Sequence, residues 1–295
     1  MSVRLSISAV LCFVVVSPSA VTAQEELRWK LRGQENLKYN VQQIMKTSMT
    51  IGGSAVNQTM HQTMDMSWQV QGVSAGGDAA MSQTVDRIQM KMEGGPAGSV
   101  QFDTNNNSKS ESPIVNAMGD VFRKIVNQPF QVTMKPSGEI TNVEVPDQLL
   151  EAVRQSSAGT TGALDENTLK QMMKQSAVTL PTEPVSPGSA WTSLQTVELP
   201  FGTMNIRSAM KFREKDSAGN AVIDVTPEIT VTPKEGAPVK MTLKNSTGKG
   251  TVTFSAAQGR VLRSQLELTL NMTVDAAGQS FNQTIEQTTV MTLAQ

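Results

Sequence analysis

The chain has almost no cysteine. Of 295 residues only Cys12 carries a thiol, and it lies in an apolar stretch from Leu5 to Val16. Lipid attachment to a cysteine needs Leu three residues before it and Gly or Ala directly before it. Here those positions hold Ala9 and Leu11, and the apolar run continues past the thiol. Beyond Val16 no disulfide, thiolate metal site or cysteine nucleophile can form, so stability must come from a packed core. Histidine is equally scarce. His61 stands alone, which leaves no set of imidazoles for a metal and one candidate base for a triad, with no Gly-x-Ser-x-Gly turn to hold a nucleophile. Phosphate-loop and dinucleotide glycine patterns are missing too. Aromatic residues make up 4% of the chain, with 8 Phe, 3 Trp and 1 Tyr, poor material for a sugar cleft. Charge is balanced, 26 acidic against 25 basic residues with no basic run, so nucleic acid is not an expected partner. No cofactor is implied.

The amino terminus reads as a secretory leader. Arg4 precedes the apolar stretch, Pro18 follows, and Val21-Thr22-Ala23 supplies small residues before Gln24. Cleavage is expected between Ala23 and Gln24. The apolar stretch is too short to remain as a spanning anchor. No other stretch is long enough, so the cleaved chain is expected to be exported and soluble, periplasmic or extracellular.

Period two rules the rest of the chain. From Leu37 the odd positions read Leu37, Tyr39, Val41, Gln43, Met45, Thr47, Met49 and Ile51; after Gly52-Gly53-Ser54 the even positions read Val56, Gln58, Met60, Gln62, Met64, Met66, Trp68 and Val70. Ile88, Met90 and Met92 continue the pattern after Gly76-Gly77-Asp78. These are half-buried strands joined by tight turns, an antiparallel meander. Val100 and Phe102 make a shorter one. The middle changes period: Ile114, Val115, Met118, Val121, Phe122 and Ile125 share a helical face. A β-hairpin comes next, around Pro136-Ser137-Gly138. A second helix is expected from Pro146 to about Ser156, and a third, capped by Asp165, carries Leu169, Met172 and Met173. Strands resume at Trp191, through Met204 to Phe212, then Ile223 and Val225, a short Ile229-Thr230-Val231 piece, Val252 and Phe254. The clearest strand carries Leu262, Ser264, Leu266, Leu268, Leu270, Met272 and Val274, and the last one Phe281, Ile285, Met291 and Leu293.

The fold expectation is mainly β (α+β): a long, curved antiparallel sheet or half-barrel with about three helices inserted mid-chain. After a leader at 1–23, residues 24–295 form one β-rich domain: strands at 24–110, a helical insert with a hairpin at 111–180, a proline-rich loop at 181–190, and strands at 191–295. Asn57-Gln58-Thr59-Met60-His61-Gln62-Thr63 is echoed by Asn282-Gln283-Thr284-Ile285-Glu286-Gln287-Thr288. The echo suggests two related halves; common strand-face chemistry explains it equally well.

Leu27-Arg28-Trp29-Lys30-Leu31, Met64-Asp65-Met66-Ser67-Trp68, Gln83-Thr84-Val85-Asp86-Arg87-Ile88 and Leu180-Pro181 before Gly188-Ser189-Ala190-Trp191 resemble a family of uncharacterised exported bacterial proteins, a domain of unknown function. At the level of fold the chain is also similar to periplasmic lipoprotein carriers and related lipid-binding half-barrels, from which it departs in length and in grouping its helices mid-sequence.

Two functions fit. One is a non-enzymatic carrier of a lipid-like ligand in the concave sheet, with Tyr39, Met64, Trp68, Met90, Phe212 and Leu266 as the apolar contacts. The other is a structural or scaffolding envelope protein with a filled core and an envelope protein as partner. Eighteen methionines suit either a pliable binding surface or a core filler. Asp86 is the one unusual carboxylate. Simple alternation with Ile88, Met90 and Met92 points it inward, where it needs a partner; a β-bulge would release it to water. A hydrolase ranks last, for want of paired functional groups.

Overall fold

A computed structural model describes residues 24–51, 53–95, 98–106, 113–151, 166–174, 177–199, 201–276 and 278–294. The leader expected at 1–23, the helix end at Ser156 and the Asp165 cap lie outside them. Twelve strands form one open antiparallel sheet: β1 (Asn36–Ile51), β2 (Ser54–Val73), β3 (Ala79–Gly94), β4 (Val100–Asp103), β5 (Phe130–Met134), β6 (Ile140–Glu144), β7 (Ala190–Leu199), β8 (Gly202–Lys215), β9 (Ala221–Pro233), β10 (Val239–Ser255), β11 (Arg260–Ala276) and β12 (Gln279–Leu293). Their order is β6-β5-β3-β2-β1-β12-β11-β10-β9-β8-β7, with β4 beside the far part of β3. The two strand groups separated by the helical insert therefore meet edge to edge, β1 on β12, from Tyr39 opposite Leu293 to Met49 opposite Gln283.

Helix α1 (Pro113–Ile125) packs on β4, and α2 (Glu166–Lys174) packs against both β6 and β7, the two free edges. One short helix thus joins the ends of the sheet, which is how an open sheet comes to surround a common interior. A helical turn at 147–151 buries Leu149 in the same core.

The inner face is fixed by register, since residues directly opposite in a ladder share a face. Leu37, Tyr39 and Val41 lie inward with Trp68, Met66 and Met64. The core spans β5, β6, β3, β2, β1, β11, β10, β9 and β8. A strap, residues 24–32, crosses this end and fills it. Its Glu25 pairs with Val185, the Trp29 amide donates to the Pro136 carbonyl and the Lys30 amide to that of Gly259. Leu27 and Trp29 plug the interior, and Trp29 stands 5.7 Å from Trp68 and 5.9 Å from Phe254 between ring centres.

Three expectations need correction, and of the two readings of Asp86 the bulge holds: the side chain does not point inward. The ladder pairs Asp65 with Arg87 and Met66 with Val85, so Asp86 is the extra residue of a β-bulge, and bulges turn one side chain out of the alternation. Leu262 is likewise the extra residue of a bulge: Phe254 pairs with Val261 and Thr253 with Arg263, which puts Val261 in the core. The short piece at Ile229 is part of one continuous β9 that runs through Pro227. Proline has no amide to give, and the β9–β10 ladder stops at Val225 opposite Gly250; beyond it the Ser246 hydroxyl accepts from the Ile229 amide at 3.1 Å and donates to its carbonyl at 3.2 Å. The strand at Val252 and Phe254 begins much earlier, at Val239, because Gly248 and Gly250 occupy inward positions and interrupt the apolar pattern.

Candidate functional site

The strands outrun their core. The filled part of the interior stops near Val41, Met291 and Val252, while β1, β2, β10, β11 and β12 continue. The inner face beyond that line can be read row by row. Gln62, Gln43, Thr289 and Leu266 stand side by side, then Met60, Met45, Gln287 and Leu268, then Gln58, Thr47, Ile285 and Leu270, then Val56, Met49, Gln283 and Met272. Most of these side chains are half-buried rather than sealed. The face ends at Phe281 and Val274. From Val41 to Met49 it runs about 27 Å at the usual rise of a strand.

No residue in these rows is charged. Lys46, Glu286, Glu267, Lys249, His61 and Asp65 all occupy the alternate positions, on the outer face. Inward polarity is supplied by Gln and Thr on β2, β1 and β12 and by Ser246 on β10, beside a lane of Leu266, Leu268 and Leu270 on β11. The leucines lean over the inward glycines of β10: a methyl group of Leu266 lies 3.0 Å from where a Cβ on Gly250 would sit, and one of Leu268 3.2 Å from that of Gly248. At the β3 side, Met90, Met92 and Val100 form a second, smaller core with Met60 and Phe122 of α1.

The structure separates the six apolar candidates. Tyr39, Trp68 and Phe212 are each 1% exposed or less, inside the plugged end with Trp29. The Tyr39 hydroxyl donates to the Val261 carbonyl at 3.2 Å, and burial pushes its phenol far above the ordinary value. Met90 is buried under α1's end of the sheet. Met64 and Leu266 lie at the boundary where the open face begins, on β2 and β11, with β1 and β12 between them. Sequence reasoning missed Met45, Gln43, Gln62, Leu268 and Leu270 as neighbours. Their alternation was visible; the β1–β12 pairing that brings them together was not.

Asp86 sits elsewhere, on the outer face. It accepts a hydrogen bond from the Ser67 hydroxyl at 2.5 Å and borders a hollow of about 330 Å³ with Lys38, Asn40, Asp65 and Arg87. Next to it Arg87 donates to Asp103 from Nη2 and Nε, at 2.5 and 3.1 Å. That hydrogen bonding, against the opposing effect of desolvation, holds the Asp103 carboxyl down at about 2. Another outer hollow, about 370 Å³, lies between Ile44, Lys46, Lys249 and Glu286. A third, about 440 Å³, occupies the seam between the sheet edges, lined by Ile140, Gln171, Lys174 and Leu194. His61 is exposed, opposite Ile44, and among the described residues no group of three His, Cys, Asp or Glu is placed to hold a metal.

A model of a family of unknown function, DUF6263, matches residues 76–261, more than half of the chain. The chain belongs to DUF6263. The match begins just before β3 and ends at the start of β11, so most of the open inner face of this DUF6263 protein is built from strands outside it. No curated protein matches in sequence. A lipovitellin structure concerned with lipid–protein interactions aligns with 90% of this chain at 11% identity and a TM-score of 0.54. The chain spans about a quarter of that one, 25%, and the likeness is one of fold: a long curved antiparallel sheet. An outer-membrane channel from Pseudomonas putida F1 aligns over 95% of this chain and all of that one, but at 9% identity and a TM-score of 0.26, too slight to bear on the fold. Among the described residues no helix is long and apolar enough to cross a membrane.

Proposed function

We propose that this DUF6263 protein is a non-enzymatic binder or carrier of a lipid-like apolar ligand, held against the open inner face of β10, β11, β12, β1 and β2. One observation carries the reading. Five strands extend well past the packed core, and everything they turn inward there is uncharged, while their outward positions hold the lysines, arginines and carboxylates. A face built only for water would mix charge into both sides. An uncharged, methionine-rich, half-exposed surface suits varied acyl shapes. The fold shared with lipovitellin supports the same class of ligand. Export by the leader at 1–23 belongs to this proposal, and places the carrier in the periplasm or outside the cell; Gln24 as the first residue of the purified protein would support it.

The direct test is extraction of natively purified protein with organic solvent, followed by mass spectrometry. A stoichiometric lipid supports the reading, and a lipid-free preparation that takes up none on incubation with lipid ends it. Leu268→Asp, on the inner face, should abolish uptake, whereas Ile44→Asp, on the outer face, should leave it intact.

The filled end favours a second reading. Tyr39, Trp68 and Phe212 are packed as core, as in a scaffolding protein whose outer face meets an envelope partner. Cross-linking in cells separates the two: a constant protein neighbour together with no bound lipid supports the scaffold.

A further inference from the structure

The open face is amphipathic in a particular way, and this specifies its occupant. Its first row, Met64, Val41 and Met291, and its last, Phe281 and Val274, are apolar. Between them the glutamines and threonines form a lane across β2, β1 and β12. Gln62 faces Gln43, which faces Thr289; Thr47 lies between Gln58 and Ile285; Gln287 and Gln283 stand beside Met45 and Met49. Two of these groups are occupied within the lane. Gln287 donates to the Thr289 hydroxyl at 3.0 Å and Gln58 touches the Met92 sulfur at 3.3 Å. Among the described residues, the side-chain amides of Gln43, Gln62 and Gln283 have no hydrogen-bond partner.

A free carboxamide offers two N–H donors and a carbonyl acceptor. It can satisfy an ester carbonyl, an amide or a hydroxyl equally well. It cannot neutralise a charge, and a carboxylate or phosphate desolvated here would meet no cation, because every lysine and arginine of these strands is on the other side of the sheet. Burying an ion without a partner is far costlier than burying a hydrogen-bonded neutral group. The position of the lane matters as well. It lies in the middle of the face, with apolar rows towards both ends, so a ligand matching it carries its polar groups between hydrocarbon segments rather than at a charged tip.

We propose that the ligand of this face is a neutral ester- or amide-linked acyl lipid, with its linkage at the Gln43–Gln62 pair and its chains on the Leu266–Leu270 lane and the flanking methionines. The proposal rests on the carrier reading and names the class of lipid that the carrier takes.

The test uses the full purified chain, stripped of lipid, with three probes of the same acyl chain: dioleoylglycerol, oleate and dioleoyl phosphatidylglycerol, each supplied from cyclodextrin and followed by native mass spectrometry and calorimetry. Dioleoylglycerol is expected to bind at least about tenfold more tightly than either anionic probe, the span of one to two hydrogen bonds and an unpaired charge. The double change Gln43→Leu, Gln62→Leu should lower dioleoylglycerol affinity about tenfold with an unchanged unfolding midpoint, since both sites are half-exposed. Gln43→Lys should invert the order in favour of oleate. Equal or tighter binding of oleate or phosphatidylglycerol by the unaltered chain overturns the neutral-lipid assignment and leaves a carrier standing. Full affinity in the double variant overturns the role of the lane. Binding of none of the three overturns both this inference and the carrier reading beneath it.

Discussion

Replacing Trp29 with alanine tests whether the strap is part of the core or merely lies on it. The indole is 4% exposed and contacts Trp68 and Phe254 at 5.7 and 5.9 Å. Its Nε1–H donates to the Val178 carbonyl at 3.1 Å, and its backbone amide to Pro136. Truncating a buried aromatic to Ala costs about 3–5 kcal/mol, because transfer free energy is lost and a cavity remains. A domain's whole stability is about 5–15 kcal/mol, so Trp29→Ala should remove a large fraction of it. Trp29→Phe keeps most of the ring contact and gives up the hydrogen bond, for about 1–2 kcal/mol. The measurement is urea unfolding followed by far-ultraviolet circular dichroism, since fluorescence would change with the tryptophan itself. Both variants should keep the slope of the transition and lower its midpoint. A control, Leu194→Ser at a side chain 75% exposed, should be neutral. A loss below about 1 kcal/mol for Trp29→Ala would refute the reasoning, because no residue sealed among Trp68, Phe254 and Leu27 can be removed so cheaply.

The same geometry sets three further outcomes. Asp103 titrates at about 2 against an ordinary 3.8, chiefly through the hydrogen bond from Arg87; a depressed carboxylate stabilises the fold above its unfolded value, and that contribution disappears as pH falls from 4 towards 2. Asp103→Asn should therefore lower the urea midpoint at pH 7 and converge with the unaltered protein by pH 2, and a gap that persists there would contradict the assignment. Gly138 has a φ of +84°, and a Cβ there would lie 2.1 Å from the Val178 carbonyl oxygen and 2.7 Å from Trp29 Nε1, whereas Gly219, at +82°, has nothing within 4 Å. Thermal melts should show Gly138→Ala costing about 2–4 kcal/mol and Gly219→Ala about 1 kcal/mol; equal costs would mean the strap can move aside. Met81, fully buried, and Met60, half-exposed on the open face, should separate stability from binding: Met81→Ala loses about 2–5 kcal/mol, Met60→Ala about 1 kcal/mol with weaker lipid uptake, and a reversed order would place the packed end wrongly.

The strands themselves were legible. Alternation in β1, β2, β11 and β12 gave their inward faces residue by residue, because a half-buried strand must repeat with period two. The readings failed where the backbone departs from that repeat. Leu262 is a bulged residue, and no local signal distinguishes its bulge from a regular apolar step; at Asp86 the carboxylate in line with inward apolar positions was such a signal, and the bulge is there. In β10, Gly248 and Gly250 hide an inward face that is completed by Leu266 and Leu268 from the next strand. Trp29 and Leu27 were seen only as part of a sequence resemblance; their plugging role depends on contacts with Pro136, Val185 and Gly259, each more than a hundred residues away in the chain. Tyr39, Trp68 and Phe212 looked like ligand contacts for the same reason that they are core: periodicity reports which face is inward, and not whether another segment already covers it.

The echo between the two hairpins has a geometric counterpart. In the sheet the order β2-β1-β12-β11 places β12 two strands from β2 and β11 two strands from β1. The motif of β2 thus reappears two strands along, with Gln58, Met60 and Gln62 matched by Gln283, Ile285 and Gln287, all inward, and Asn57, Thr59 and Thr63 matched by Asn282, Thr284 and Thr288, all outward. Common surface chemistry accounts for threonines and glutamines facing water. Three inward positions, glutamine, apolar and glutamine, also repeat in the same order on a face that carries Gln43, Thr47 and Thr289 besides its methionines and leucines. The repeated motif sets carboxamides on β2 and β12, with Gln43 of β1 between them. The uncharged floor that the proposed lipid requires is then a consequence of the repeat, so a charge placed at Gln58 or Gln283 should be equally damaging to uptake.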